Sequence, residues 1–401
     1  MSTTPTASPT TTTPTTTSAT APPATAPPEV SYLLTDEQRQ LQEMVGDLLA
    51  RRATSARVRE IMLGDDAYDA PLWEELAGYG LLGLTIPEAD GGAGASFAEL
   101  AIVLEAAGRH LAPVPLLSSA VLGTEALLGA ASASQRAELL PGVAAGTVRL
   151  ALAHLDIGGD PRTPPGAVAT RAAGTWTLDG TAAYVIDALA ATHLVVAARV
   201  DEGVELFVLA ADTPGVTRTP LEVMDLTRPL GTVEFASVEV SEDDRLSGGD
   251  AMAALHRALT AGVVAVAVEQ VGGIAHTLEV CTAYARDRIQ FGRAIGSFQA
   301  VKHRLAEMLV ELESARSAAV HAARVLALDE RAELAIAASL AKAYCSEVYE
   351  RSAADGIQLF GGIGFTWEHD QHLYLKRAKS TKLLLGDPKL HRALLGELLG
   401  L

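Results

Sequence analysis

The chain has 401 residues, with 31 Lys plus Arg against 49 Asp plus Glu, a formal charge of −18, 49% hydrophobic residues and 20% charged ones. That length allows two or three packed units around a large core, and the acidic balance argues against nucleic acid or an anionic membrane as the main partner. Only two cysteines occur, Cys281 and Cys345, with no metal-type spacing, which fits a reducing, cytoplasmic setting and no structural metal.

Met1 to Pro28 is almost wholly Thr, Pro, Ala and Ser without a charged residue, so residues 1–30 read as a disordered tail. A signal peptide needs a basic start and a continuous apolar run, and neither is there. The longest uncharged apolar runs, such as Ala258–Val268 and Leu111–Thr124, are too short to cross a bilayer, and no membrane span is expected. Thr35-Asp36-Glu37-Gln38 then has the form of a capping box, and Leu41, Met44, Val45, Leu48 and Leu49 follow as one apolar helical face. Further helices are predicted around 71–79, 96–110, 118–128 and 134–140, with the loop Pro87–Gly94 between two of them, giving a helical domain over 31–145.

Near Thr147 short apolar or alternating runs begin to stand between Gly, Pro and Asp, at 148–153, 168–171, 176–178, 192–199, 204–209 and 232–240. This predicts an antiparallel β domain over 146–244, with Asp179-Gly180 as a hairpin turn. From 245 to 401 the helical period returns, with apolar stripes Val301, Leu305, Met308, Leu309, Leu312 and Ile336, Leu340, Tyr344, Val348. Long Ala-rich helices of this kind predict a bundle.

Two segments carry chemistry. Tyr284–Met308 (YARDRIQFGRAIGSFQAVKHRLAEM) ends one helix near Arg288, runs through a glycine-flanked loop with Phe291 and Arg293, and starts another helix near Ser297. A guanidinium fork suits pyrophosphate and an aromatic face suits a base, but the same residues also read as an interhelical loop with a surface Arg and a buried Phe. Ile357–Phe365 (IQLFGGIGF) places Gly361, Gly362 and Gly364 after a helix. Glycines let backbone N–H groups approach a phosphate; they also make ordinary helix C-caps, and no GxGxxG after a strand is formed.

Taken together, the segments resemble the acyl-CoA dehydrogenase family, from residue 31 to the C-terminus, in domain order and in both motifs. RxxFGxxIxxFQ stands here as Arg288, Phe291, Gly292, Ile295, Phe298 and Gln299, and QxFGGxGF as Gln358, Phe360, Gly361, Gly362, Gly364 and Phe365. The resemblance implies an α+β fold with an N-terminal helical domain, a middle β domain and a C-terminal four-helix bundle. It implies that Arg288, Gln290, Phe291, Gln299, Gln358, Gly361 and Gly362 hold the ADP half of FAD, reaching into a neighbouring subunit's flavin. The reaction implied is α,β-dehydrogenation of an acyl-CoA, in which a carboxylate removes the α-proton.

The sequence departs from that pattern at the carboxylate. Counted from Phe360 without a gap, the usual glutamate position is Leu385, followed by Gly386 and Asp387; the alternative position used by part of the family, counted back from Arg288, is Gly262. Neither residue can take a proton. Glu269 lies one or two turns later and also reads as an interhelical ion pair or hydrogen bond; Asp387, before Pro388, reads most simply as an N-cap. His369, Asp370 and His372 read as capping and surface pairing, and His303 as part of a solvated helix face.

The middle domain departs too. Ala153–Asp160 keeps Gly158-Gly159-Asp160 but lacks a Thr-Glu-Pro loop, and Ala182–Ala191 lacks the Trp that usually flanks the flavin, so the family's flanking aromatic reads as absent. These departures imply the glutamate-free subunit of a heteromeric acyl-CoA dehydrogenase of the actinobacterial steroid side-chain type. The resemblance of Phe365–Lys379 (FTWEHDQHLYLKRAK) to that branch implies an α2β2 assembly whose partner carries the glutamate. Two other readings stay open: a homo-oligomer using Asp387 or Glu269 as base, and a flavin-free structural subunit.

Overall fold

The computed structural model describes residues 1–2, 4, 34–172 and 174–401, so the expectation for the Thr/Pro/Ala-rich tail lies almost entirely outside the described residues. The first helical region contains α1 (Asp36–Arg52), α2 (Ser55–Leu63), α3 (Ala70–Gly78), α4 (Phe97–His110), a π-helical segment Leu116–Gly123, α5 (Thr124–Ala130) and α6 (Ala133–Ala144). The capping box at α1 forms as its sequence requires: Thr35 Oγ1 accepts from Gln38 N at 3.2 Å and Thr35 N donates to Gln38 Oε1 at 3.1 Å. Helix α2 leaves little periodic signal in the sequence, because its nine residues carry only two buried apolar side chains, Val58 and Ile61.

A seven-stranded sheet follows: β1 (Leu150–Ala153), β2 (Ala167–Ala172), β3 (Thr175–Ile186), β4 (His193–Arg199), β5 (Val204–Ala210), β6 (Val216–Pro220) and β7 (Leu230–Val240). Most pairings are antiparallel, but β4 runs parallel to β1 and to the start of β2. Asp179-Gly180 is not a hairpin turn. β3 runs straight through it, with β2 on one side and β7 on the other, and the pair forms a bulge. Gly180 has φ +114 there, a Cβ on it would lie 2.5 Å from Gly166 O, and Asp179 Oδ1 accepts from Ser237 N at 2.8 Å. Pairing on both edges outweighs the local turn preference of Asp-Gly.

The last region holds α7 (Ala251–Asp287), a short hairpin of β8 (Ile289–Gln290) and β9 (Arg293–Ala294), α8 (Gln299–Ala327), α9 (Arg331–Phe360), α10 (Gln371–Leu383) and α11 (Pro388–Leu398). By length and composition alone α7 could cross a bilayer, but 61% of its most apolar stretch is buried inside the protein, as in a core helix. Its apolar surface is used against α4, α5, α8 and α9. Two glycines set the α4–α7 contact: a Cβ on Gly108 would sit 2.1 Å from Glu269 O, and one on Gly272 2.0 Å from Glu105 O. Helices this close share backbone surface rather than side chains.

The predicted bundle stripes hold only in part. Met308, Leu312 and Val348 are buried, but Leu309 is 50% exposed, Leu340 46% and Tyr344 36%. The packed face of α9 is instead Ala337, Ala338, Ala341, Cys345 and Val348. Small residues let the helices approach and turn the larger apolar side chains outward.

Candidate functional site

Both predicted chemical segments become rims of the bundle. α7 ends at Asp287, and Ile289–Ala294 forms a two-residue hairpin with Phe291 (φ +52) and Gly292 (φ +78) at its tip. Positive φ at both central positions is the twist a tight hairpin needs, and a phenylalanine accepts it at a cost of order 1–3 kcal/mol. The result is a ring presented outward: Phe291 is 91% exposed, which removes the reading of it as a buried loop anchor. Phe298 meets it edge-on at 6.1 Å, with the Arg293 guanidinium 4.0 Å above Phe298.

α9 ends at Phe360, and Gly361 turns the chain with φ +65. Built Cβ atoms on Gly361 and Gly362 meet nothing within 4 Å, and both residues are exposed. The rings of Tyr284 and Phe360, 4.5 Å apart, tie the end of α7 to the end of α9. Arg288, Gln290, Gln299 and Gln358 all face solvent. An open glycine turn, an exposed aromatic and guanidinium and amide donors with free faces fit the pyrophosphate and adenine end of a dinucleotide.

The two positions that the family resemblance implies for the base lie 123 residues apart in sequence and meet in space. A Cβ on Gly262, in α7, would lie 2.8 Å from Leu385 Cδ1 and 2.5 Å from Leu122 Cδ2. No carboxylate is part of this contact. Leu385 sits in the left-handed region at φ +58, and Gly386 follows at φ +100. Their carbonyls are held from below: His391 Nε2 donates to Leu385 O at 3.0 Å, and Lys342 Nζ donates to Gly386 O at 2.9 Å and Lys382 O at 3.0 Å. Burial lowers the Lys342 amine to about 7 and the His391 imidazole to about 4. None of these four side chains was legible as a group in the sequence, because they come from four separate elements.

The substitute acids are committed elsewhere. Glu269, 5% exposed, takes Arg228 Nη2 on both oxygens at 2.8 and 2.6 Å. The ion pair expected for Glu269 exists, but its partner comes from the β6–β7 loop rather than from another helix. Asp387 is the N-cap of α11, with Oδ1 accepting from Leu390 N at 2.8 Å. Asp370 pairs with Arg59 at 2.7 Å on the surface, while His369 Nδ1 accepts from Gln371 N at 3.1 Å and His372 is buried against Trp367.

A buried polar cluster surrounds the Glu269 pair. Arg377 Nε meets Asp225 Oδ2 at 2.7 Å and its Nη2 meets Thr227 Oγ1 at 2.6 Å. Asp187 Oδ2 accepts from Ser118 Oγ at 2.6 Å, and burial raises its carboxyl to about 6. The cluster therefore joins the π-helical segment, the sheet loops, α7 and α10. In the middle domain, Gly159 N donates to Asp156 Oδ1 at 3.1 Å and Asp160 pairs with Arg162 at 2.7 Å, so both acids of that loop are satisfied locally. The stretch 182–191 has no Trp, but it carries Tyr184. A second bulge in β3 turns Tyr184 (φ +54) outward, 40% exposed, beside Gly159.

Residues 35–147 match the acyl-CoA dehydrogenase N-terminal domain and residues 250–400 the acyl-CoA dehydrogenase C-terminal domain. The chain is 34% identical, over 88% of its length and 94% of the relative's, to acyl-CoA dehydrogenase IpdE2 of Mycobacterium tuberculosis. Among solved structures it is similar to the Tcur3481-Tcur3483 steroid ACAD, at 33% identity and TM-score 0.83, over 91% of this chain and 98% of that one. It is also similar to a chain of the ChsE4-ChsE5 complex from Mycobacterium tuberculosis, at 29% identity and TM-score 0.84, over 92% and 99%. On the matched domains, the relative and the shared architecture, the chain belongs to the acyl-CoA dehydrogenase family.

Proposed function

We propose that this chain is the glutamate-free subunit of a cytoplasmic, heteromeric FAD-dependent acyl-CoA dehydrogenase, paired as α2β2 with a related subunit that brings the base. The substrate class is a steroid side-chain CoA ester, a reading supported by the similarity to the Tcur3481-Tcur3483 steroid ACAD. The observation that carries the proposal is the contrast between the two ends of the bundle. Polar, exposed groups stand at the hairpin and the glycine turn, while Leu122, Gly262 and Leu385 meet where a base is needed.

In this reading Arg288 donates to the pyrophosphate, Phe291 covers the adenine, and Gln290, Gln299 and Gln358 donate to the nucleotide's oxygens. Gly361 and Gly362 let the backbone come close to the phosphates without a side chain in the way. When bound, FAD supplies the two-electron acceptor that dehydrogenation requires. This chain's part is to bind and orient the nucleotide end; it holds no proton for the reaction. Exposed Leu309, Val310, Leu340 and Tyr344 on α8 and α9 offer apolar surface to a partner subunit. The homo-oligomeric alternative is disfavoured by the commitments of its two acids: Glu269 would have to leave Arg228, and Asp387 would have to uncap α11.

The test is co-expression with a glutamate-bearing relative, followed by purification and flavin quantification. The expected result is a yellow, active complex whose flavin content falls when this chain carries Arg288→Ala. Flavin retention by the variant, or a fully flavinated and active chain on its own, would overturn the proposal.

A further inference from the structure

Two backbone anomalies deliver two leucines to one glycine. The segment Leu116–Gly123 is π-helical and buried at every residue, and it brings Leu122, 1% exposed, against Gly262. From the other side the Leu385–Gly386 turn holds a leucine at φ +58, a conformation costly for a residue with a branched side chain. That turn is over-determined by His391, Lys342 and the Asp387 cap. Wide helical turns and strained non-glycine residues concentrate where a backbone has been shaped for a ligand. Here the shape is present, and its contents are apolar and in contact. Not even an alanine fits at position 262 without moving Leu122 or Leu385.

We propose that Leu122 and Leu385 close the acyl-thioester site of this chain over Gly262. The inference rests on the reading of the chain as a subunit of an acyl-CoA dehydrogenase and sharpens it: the acyl group is accepted only on the partner's side. The pair acts as a specificity element by exclusion. A protomer that cannot admit an acyl chain cannot compete with its partner for substrate.

The experiment measures binding of CoA, butyryl-CoA, hexanoyl-CoA and octanoyl-CoA to the purified full-length chain by calorimetry. The wild type is expected to give the same dissociation constant across the series within about two-fold, since no methylene leaves water. The Leu122→Ala/Leu385→Ala variant is expected to gain a length dependence approaching about four-fold per methylene until the opened volume is filled. Tightening with chain length in the wild type would overturn the proposal, and so would a folded double variant without length dependence. Circular dichroism checks the fold. If the double variant does not fold, Leu385→Ala alone, which removes a partly buried side chain at the edge of the core, must show the dependence in weaker form. Flavin content after Arg288→Ala judges the subunit assignment separately, so either idea can fail without the other.

Discussion

Two places along α7 carry opposite solutions. At its C-terminal end the chain accepts strain in order to expose: Phe291 stands at positive φ with its ring 91% in solvent, beside glycines with nothing in front of them. Near its middle the chain accepts strain in order to fill: Leu385, also at positive φ, packs its side chain on Gly262 and Leu122. Similar backbone cost therefore exposes a ring in one place and packs a side chain in the other. A family fold can lose a chemical group and keep the backbone that once presented it, because that backbone is held by its own hydrogen bonds, here from Lys342 and His391. The rim of hairpin and glycine turn is open and polar; the contact at Gly262 is made by leucine side chains.

That contrast can be broken most forcefully from inside. Arg228→Ala leaves Glu269 as a buried, unpaired carboxylate and is expected to cost about 3–5 kcal/mol in urea unfolding. A loss below about 1 kcal/mol would mean the cluster is wet and not part of the closed interior. Asp187 tests the same region by pH. Burial, helped by the Glu269 charge and opposed by the Ser118 hydrogen bond and the Arg228 and Arg377 charges, raises its carboxyl from 3.8 to about 6, so the native state keeps a proton that the unfolded chain releases. Its stabilising contribution is full below about pH 4 and is lost as pH rises to about 6, a swing on the order of 3 kcal/mol. Asp187→Asn should flatten that part of a melting-temperature profile between pH 4 and 7; an unchanged slope assigns the titration elsewhere.

At the rim the pattern reverses. Arg288→Ala is expected to leave stability within about 0.5 kcal/mol, because the side chain is exposed. It should weaken flavin retention by the complex roughly 10- to 100-fold, the loss of a charge-assisted contact. Smaller still is Asp387→Ala, about 1 kcal/mol from a lost N-cap, with turnover of the complex unchanged. A collapse of turnover with intact fold would instead make Asp387 a base. The smallest expected effect is none: Leu385→Glu in the isolated chain should yield no dehydrogenation, since the middle-domain loop offers Asp156 and Asp160 already satisfied within the loop. Turnover by that variant would reopen the middle domain as a flavin-ring pocket.

Much of this was readable along the chain. The capping box at Thr35, the change from helical to β texture near Thr147 and the two glycine-bearing motifs are local patterns; many elements stand near where their spacing put them, while α2 and β6 left no such signal and β3 runs on to Ile186, well past 176–178. Leu385 and Gly262, 123 residues apart, lie against each other, a contact that spacing along the chain does not reveal. What misled was also local: Asp179-Gly180 reads as a turn when taken alone, and becomes a bulge once β2 and β7 hold it on both sides. The apolar stripe through Leu340 and Tyr344 has the right period for a packed face, yet the alanines pack and the larger residues face out.

By itself the order of residues determined the family resemblance, the three-part architecture and the absence of a carboxylate at the two positions that the resemblance implies for a base, since each is a matter of residue type at a fixed spacing. Only the folded chain decided that those positions touch, that Leu122 completes the contact, that Arg228 claims Glu269, and that Tyr184 turns outward. Each of these joins segments far apart in sequence, and packing distances between such segments leave no periodic trace along the chain.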